Sequence, residues 1–150
     1  MSKRYIHYGN DVYDKSRVMV EKHPDVLPCK PTFGLWASPV ESTYRSWKDW
    51  CKGERFNLGD LEKYFTFTLS DNAKVLEVRN PSDIKKYEVG TALKFLTTID
   101  YDSILHDGYD AVEVYMNHEM YYYLYGWDCD SIVIFNPEIV IPDTVNKKGE

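Results

Sequence analysis

The most apolar run in the chain, Ile132-Val133-Ile134-Phe135, is four residues long, with the carboxylates of Asp128 and Asp130 ahead of it and Asn136-Pro137 behind it. Four residues fall far short of the roughly 18 that cross a bilayer, yet they suit one buried strand of a sheet. The opening MSKRYIHYG has no apolar segment of the kind that directs secretion. A soluble, cytoplasmic protein without membrane association is the expectation. With 150 residues, 43% of them hydrophobic and 28% charged, the chain can enclose one core. We expect a single domain over residues 1–142 and a flexible C-terminal tail over 143–150.

Other short β-prone runs surround this one. Arg4-Tyr5-Ile6-His7-Tyr8 stops at the turn pair Gly9-Asn10, and Phe33-Gly34-Leu35-Trp36-Ala37 follows a loop carrying Pro24, Pro28 and Pro31. Ser38-Pro39-Val40-Glu41 has the form of a helix start, with a capping hydroxyl, a proline at the first position and a glutamate three after the cap. Val40, Tyr44, Trp47 and Cys51 then make one apolar stripe up to Gly53. Tyr64-Phe65-Thr66-Phe67-Thr68-Leu69 alternates as a half-buried strand, with Lys74-Val75-Leu76-Glu77-Val78 as its expected antiparallel hairpin partner. A short helix from Asp102 to His106, a strand from Asp110 to Tyr115 and the strand Ser131–Phe135 complete an α+β chain, mostly antiparallel, with few short helices.

Charge and cysteine usage narrow the partners. Twenty-four acidic against 18 basic residues give −6, and no Lys/Arg run exceeds two, so nucleic acid is disfavoured. Cys29, Cys51 and Cys129 are odd in number and far apart, which suits reduced thiols better than disulfides or zinc, and no metal is expected. Aromatic residues, by contrast, are abundant at 15% and supply flat faces for stacking on a heterocycle.

No Walker loop, G-x-G-x-x-G, H-E-x-x-H or G-x-S-x-G is present. Candidate chemistry therefore rests on polar residues at strand ends beside aromatics. His7 alone reads as a core or edge histidine, Ser38 as a helix cap, and Glu113 as the solvated side of a strand whose other side is Val112, Val114 and Met116. Asp128 and Asp130 are more pointed, because two carboxylates leading into the most apolar strand suit either an exposed acidic turn or a site facing developing positive charge.

In their order along the chain, these elements resemble the ADP-ribosyltransferase superfamily. Tyr5-Ile6-His7-Tyr8-Gly9-Asn10 is similar to that family's opening H-G-[ST] strand, and Gly34-Leu35-Trp36-Ala37-Ser38 with Tyr44 and Trp47 to its second strand and aromatic-bearing helix. Tyr64-Phe65-Thr66-Phe67 looks like the hairpin strand, and Asp128 through Glu138 like the late strand that begins with an acid and ends in N-P-E. A gapless match sets Ser131 where the family's catalytic glutamate stands, with Asp130 adjacent and Asp128 and Glu113 as further carboxylates.

The resemblance implies split antiparallel β-sheets and an NAD-dependent transferase, a glycosyltransferase that cleaves the nicotinamide glycosidic bond and passes ADP-ribose to an unidentified acceptor, for which a protein is the expectation. NAD enters as substrate. By the same resemblance His7 bonds the adenosine-side ribose, backbone groups near Tyr8 and Gly9 meet the nicotinamide amide, and Trp36, Tyr44 or Trp47 stack on its cationic ring beside Ser38. Asp130, or failing it Asp128 or Glu113, bonds the nicotinamide-ribose hydroxyl and faces the anomeric carbon. Two other readings stand beside this one. One is a non-catalytic ADP-ribose or nucleotide-binding module, prompted by Ser131; the other is an interaction domain presenting Tyr121, Tyr122, Tyr123, Tyr125 and Trp127.

Overall fold

The structure, a computed structural model, describes residues 3–14, 16, 30, 31, 33–41, 47–55, 58–93, 96–124, 127 and 129–143. Its strands are β1 (Tyr5–Tyr8), β2 (Leu35–Pro39), β3 (Tyr64–Leu69), β4 (Val75–Val78), β5 (Glu88–Leu93), β6 (Leu96–Ile99), β7 (Ala111–Val114), β8 (Ser131–Ile134) and β9 (Val140–Pro142). The α-helices are α1 (Trp47–Glu54), α2 (Tyr101–His106) and α3 (His118–Tyr123). Among the described residues a seven-stranded mixed sheet runs β4-β7-β8-β2-β1-β3-β9, and β5 pairs with β6 in a small second sheet. The class is α+β, and no described helix is long and apolar enough to cross a membrane.

β8 explains its own composition. It lies between β2 and β7, and Ile132, Val133 and Ile134 are all fully buried. Ile132 and Ile134 face a cluster with Tyr5, Ala37, Phe67 and Ile139. Val133 faces the opposite cluster, with Ile104, Met120, Leu124 and Trp127. A strand covered on both faces has no polar side to alternate with, hence the unbroken apolar run.

Two local expectations are corrected. Ser38 and Pro39 do not open a helix: they close β2, where Ser38 pairs with Ile6 and Pro39 with Tyr5, and the amide of Val40 donates to the Arg4 carbonyl at 2.9 Å. Sheet pairing outweighs the capping signal, and a proline at the end of a strand forfeits no interior ladder bond. Of the stripe expected to follow, Val40 is exposed and Cys51 in α1 is buried; Tyr44 and the Trp47 side chain lie outside the described residues, as does most of the proline-rich loop.

β3 and β4 do not form a hairpin either. β3 is flanked by β1 and β9, while β4 runs parallel to β7 after Lys74 and Asp110 bond to each other twice: the Lys74 amide donates to the side-chain Asp110 Oδ2 at 2.9 Å and the Asp110 amide to the Lys74 carbonyl at 2.7 Å. Asp143, the first residue of the expected tail, accepts from Arg4 Nη2 at 2.6 Å and from the Thr66 hydroxyl at 2.5 Å, and residues 144–150 lie outside the described residues.

Candidate functional site

β1 and β2 pair through only two residues, Tyr5↔Pro39 and Ile6↔Ser38. Where that pairing stops, the His7 side chain takes over: its Nδ1 lies 2.6 Å from the Trp36 carbonyl oxygen. A carbonyl only accepts, so Nδ1 carries the hydrogen and Nε2 of the neutral ring is an acceptor. Burial holds the imidazole below its ordinary pKa and so favours the neutral form, and the bond to Trp36 offsets that lowering only in part. The ring rests against Phe65, its register partner on β3, at 5.1 Å between centroids.

Trp36 meets His7 through its backbone alone. Its indole projects to the opposite face of the sheet, 4.8 Å from the Trp127 ring and beneath Lys30 Nζ at 5.1 Å from its centroid. The imidazole and the indole, which the resemblance assigns to one dinucleotide, therefore lie on opposite faces of the sheet. Tyr8 packs on Tyr64, with centroids 5.9 Å apart. Gly9 turns the chain at φ 109°, a conformation that favours glycine, and its amide donates to the Lys63 carbonyl at 2.8 Å.

Glu113 is the clearest departure from its expected place. It is 2% exposed, because the β7 face it occupies is the covered one, where it pairs with Ile132 of β8. Its carboxylate is held from three directions: Tyr5 donates its hydroxyl to Oε1 at 2.9 Å, Tyr115 donates to Oε2 at 2.9 Å, and Lys3 Nζ lies 2.8 Å from Oε2. Burial raises the carboxyl pKa, and the Lys3 ammonium and Tyr5 hydroxyl act against that rise. Burial, and then the Glu113 anion beside it, push the Tyr5 phenol far up. A carboxylate offers about four acceptor positions. Three are used here, and Oε1 retains one.

Asp130 is fully buried, and its Oδ1 accepts the Met116 amide at 2.8 Å, joining the end of β7 to the start of β8. Ser131 donates to the Cys129 carbonyl at 3.0 Å, and Ser38 is buried in β2. Asp128 lies outside the described residues. His7, two residues after Tyr5 and paired with Phe65, therefore shares a sheet face with Glu113, about three strand spacings or roughly 14 Å away.

Lys3, Tyr5 and Tyr115 complete the Glu113 cluster without having been singled out for it. The available signal was parity: Tyr5 shares a side with His7, and Tyr115 with Glu113. The tyrosine-rich segment divides, with Tyr122 73% exposed and Trp127 1% exposed, while Tyr121 and Tyr123 pack partly against the core. No protein-family model, curated protein or solved structure matches this chain.

Proposed function

We propose that the chain is an NAD-dependent ADP-ribosyltransferase with an ADP-ribosyltransferase-like split sheet, its dinucleotide entering beside the half-buried His7 on the side of the sheet that carries Glu113. The observation that carries this reading is the parting of β1 from β2 at His7, whose imidazole is set as a neutral Nε2 acceptor by the Trp36 carbonyl. Such an acceptor suits a ribose hydroxyl of the adenosine half.

Glu113 is our choice among the three carboxylates. Its remaining acceptor position on Oε1 suits the hydroxyl of the nicotinamide ribose, and its negative charge opposes the positive charge that grows at the anomeric carbon. The C1′–N bond breaks with its electron pair leaving on nicotinamide. The acceptor forms the new bond at C1′, and its proton passes to a carboxylate or to water. By this reading the acceptor is a protein and the reaction cytoplasmic.

Nicotinamide release from NAD tests the proposal. Release by the unaltered chain, lost in Glu113→Gln and weakened in His7→Ala through a raised KM, supports it; release no greater than from heat-killed protein removes it. The non-catalytic binding module is favoured by one observation, the capture of the Asp130 carboxylate by Met116 beside a serine at the expected acid position. Binding of ADP-ribose with no turnover is its signature.

A further inference from the structure

The Lys3 ammonium sits in a cage of defined chemistry. One wall is the Glu113 carboxylate at 2.8 Å, a second is the Tyr115 ring at 4.3 Å from its centroid, and a third is the Tyr5 ring at 5.7 Å. Both rings lie within the roughly 6 Å over which a cation is held by an aromatic face. Both phenols also donate to the same carboxylate, so the cage has bonds of its own that do not pass through the ammonium.

The occupant differs from its container. Lys3 precedes the first strand, and its side chain is 40% exposed, whereas Glu113 is 2% exposed. A buried anion with two aromatic walls, of which the Tyr115 ring also carries the Arg79 guanidinium at 3.9 Å from its centroid, is thus filled by a side chain from a segment outside the sheet. We infer that the Glu113–Tyr5–Tyr115 cage is a receptor for a primary alkylammonium group, with Lys3 as its internal occupant. The inference stands on this geometry and does not depend on NAD chemistry.

A primary ammonium is specified over a quaternary one, because the 2.8 Å approach to Oε2 needs an N–H donor. The natural source is either a lysine side chain of a partner or a free amine, and two probes separate them: N-acetyl-lysine-N-methylamide and n-butylammonium.

The test is calorimetric titration of Lys3→Met and Lys3→Gln, each first checked for native far-UV and near-UV circular dichroism. Both variants should bind n-butylammonium. The unaltered chain should bind it about tenfold more weakly or worse, since a site already occupied most of the time loses apparent affinity by its unoccupied fraction. Binding of the lysine derivative as well assigns the cage to a partner's lysine, whereas n-butylammonium alone assigns it to a free amine. The inference is overturned if the folded variants bind neither probe, or if tetramethylammonium binds as well as n-butylammonium. Should both variants lose their fold, n-butylammonium must restore the native near-UV circular dichroism of at least one of them, and no restoration overturns the inference equally.

Discussion

The Nδ1 of His7 stands 2.6 Å from the carbonyl oxygen of Trp36, one residue past the last paired position between their strands. A side chain has replaced the backbone as the partner of that carbonyl. The exchange fixes the tautomer and leaves the sheet open beside it.

A pH dependence follows from the lowered pKa of His7. The unfolded chain takes up a proton near the ordinary value of 6.5, while the folded chain resists until lower pH. Below about 6.5 the unfolded state therefore holds more protons and stability declines as pH falls, by at most about 1.4 kcal/mol per pH unit from this group. Urea unfolding between pH 7.5 and 5.5 should show that loss in the unaltered chain and a smaller one in His7→Gln.

The sign is opposite for Glu113, whose folded pKa is raised above the ordinary 4.5. Here the folded state holds more protons, so the contribution to stability falls as pH rises from 4.5 toward the folded value. Lys3 limits that loss. Lys3→Met should therefore cost about 1–2 kcal/mol at pH 7, discounted for the exposure of the lysine, and less near pH 4.5. Denaturant midpoints at the two pH values check it.

Tyr5→Phe removes one donor to a buried carboxylate. A bond to a charged group of this kind is worth about 1.5–3 kcal/mol, and thermal unfolding should register a loss of that size.

The two buried carboxylates separate cleanly by amide substitution. Asp130→Asn keeps an Oδ1 acceptor for the Met116 amide and should leave nicotinamide release largely intact, whereas Glu113→Gln should abolish it. Asp130→Ala instead strands a buried amide and should cost about 1–3 kcal/mol in stability. The reverse ranking in the release assay moves the catalytic role to Asp130.

Gly34 opens β2 at φ 112°, and an added Cβ would meet Val133 Cγ2 at 2.7 Å and the Ile134 carbonyl oxygen at 3.0 Å. Gly34→Ala should destabilise the fold by about 2–4 kcal/mol, combining backbone strain with overpacking. Calorimetric melting measures it.

The sequence revealed most where neighbouring residues decide the outcome. β8 was legible from its apolar run, β3 from its alternation, and the short helix before Gly108 from its composition, with Asp100 capping it by accepting the Ser103 amide. Pairing was not legible, because it depends on partners far along the chain. Nothing local says that Val75 lies beside Ala111 rather than facing β3, and the Ser38-Pro39 signal reads alike for a helix start and a strand end.

The candidate site divides in the same way. The positions of His7 and Gly9 are legible, since one lies within the first β-prone run and the other in the turn that stops it. Glu113 was read with the wrong surroundings, because alternation identifies two faces but cannot say that both are covered. Its burial depends on Tyr5, 108 positions away, and on an ammonium from the start of the chain. The resemblance alone joins the Trp36 indole to His7, whereas the indole lies on the opposite face of the sheet and only the Trp36 carbonyl meets the imidazole.

The most direct measurement is the imidazole nitrogen spectrum of His7 during titration with NAD, recorded above pH 7. A protonated Nδ1 and bare Nε2 in the free chain, with the Nε2 resonance moving as a ribose hydroxyl engages it, is the result this account predicts. A resonance unmoved at saturating NAD, or a ring protonated at Nε2 instead, would contradict it.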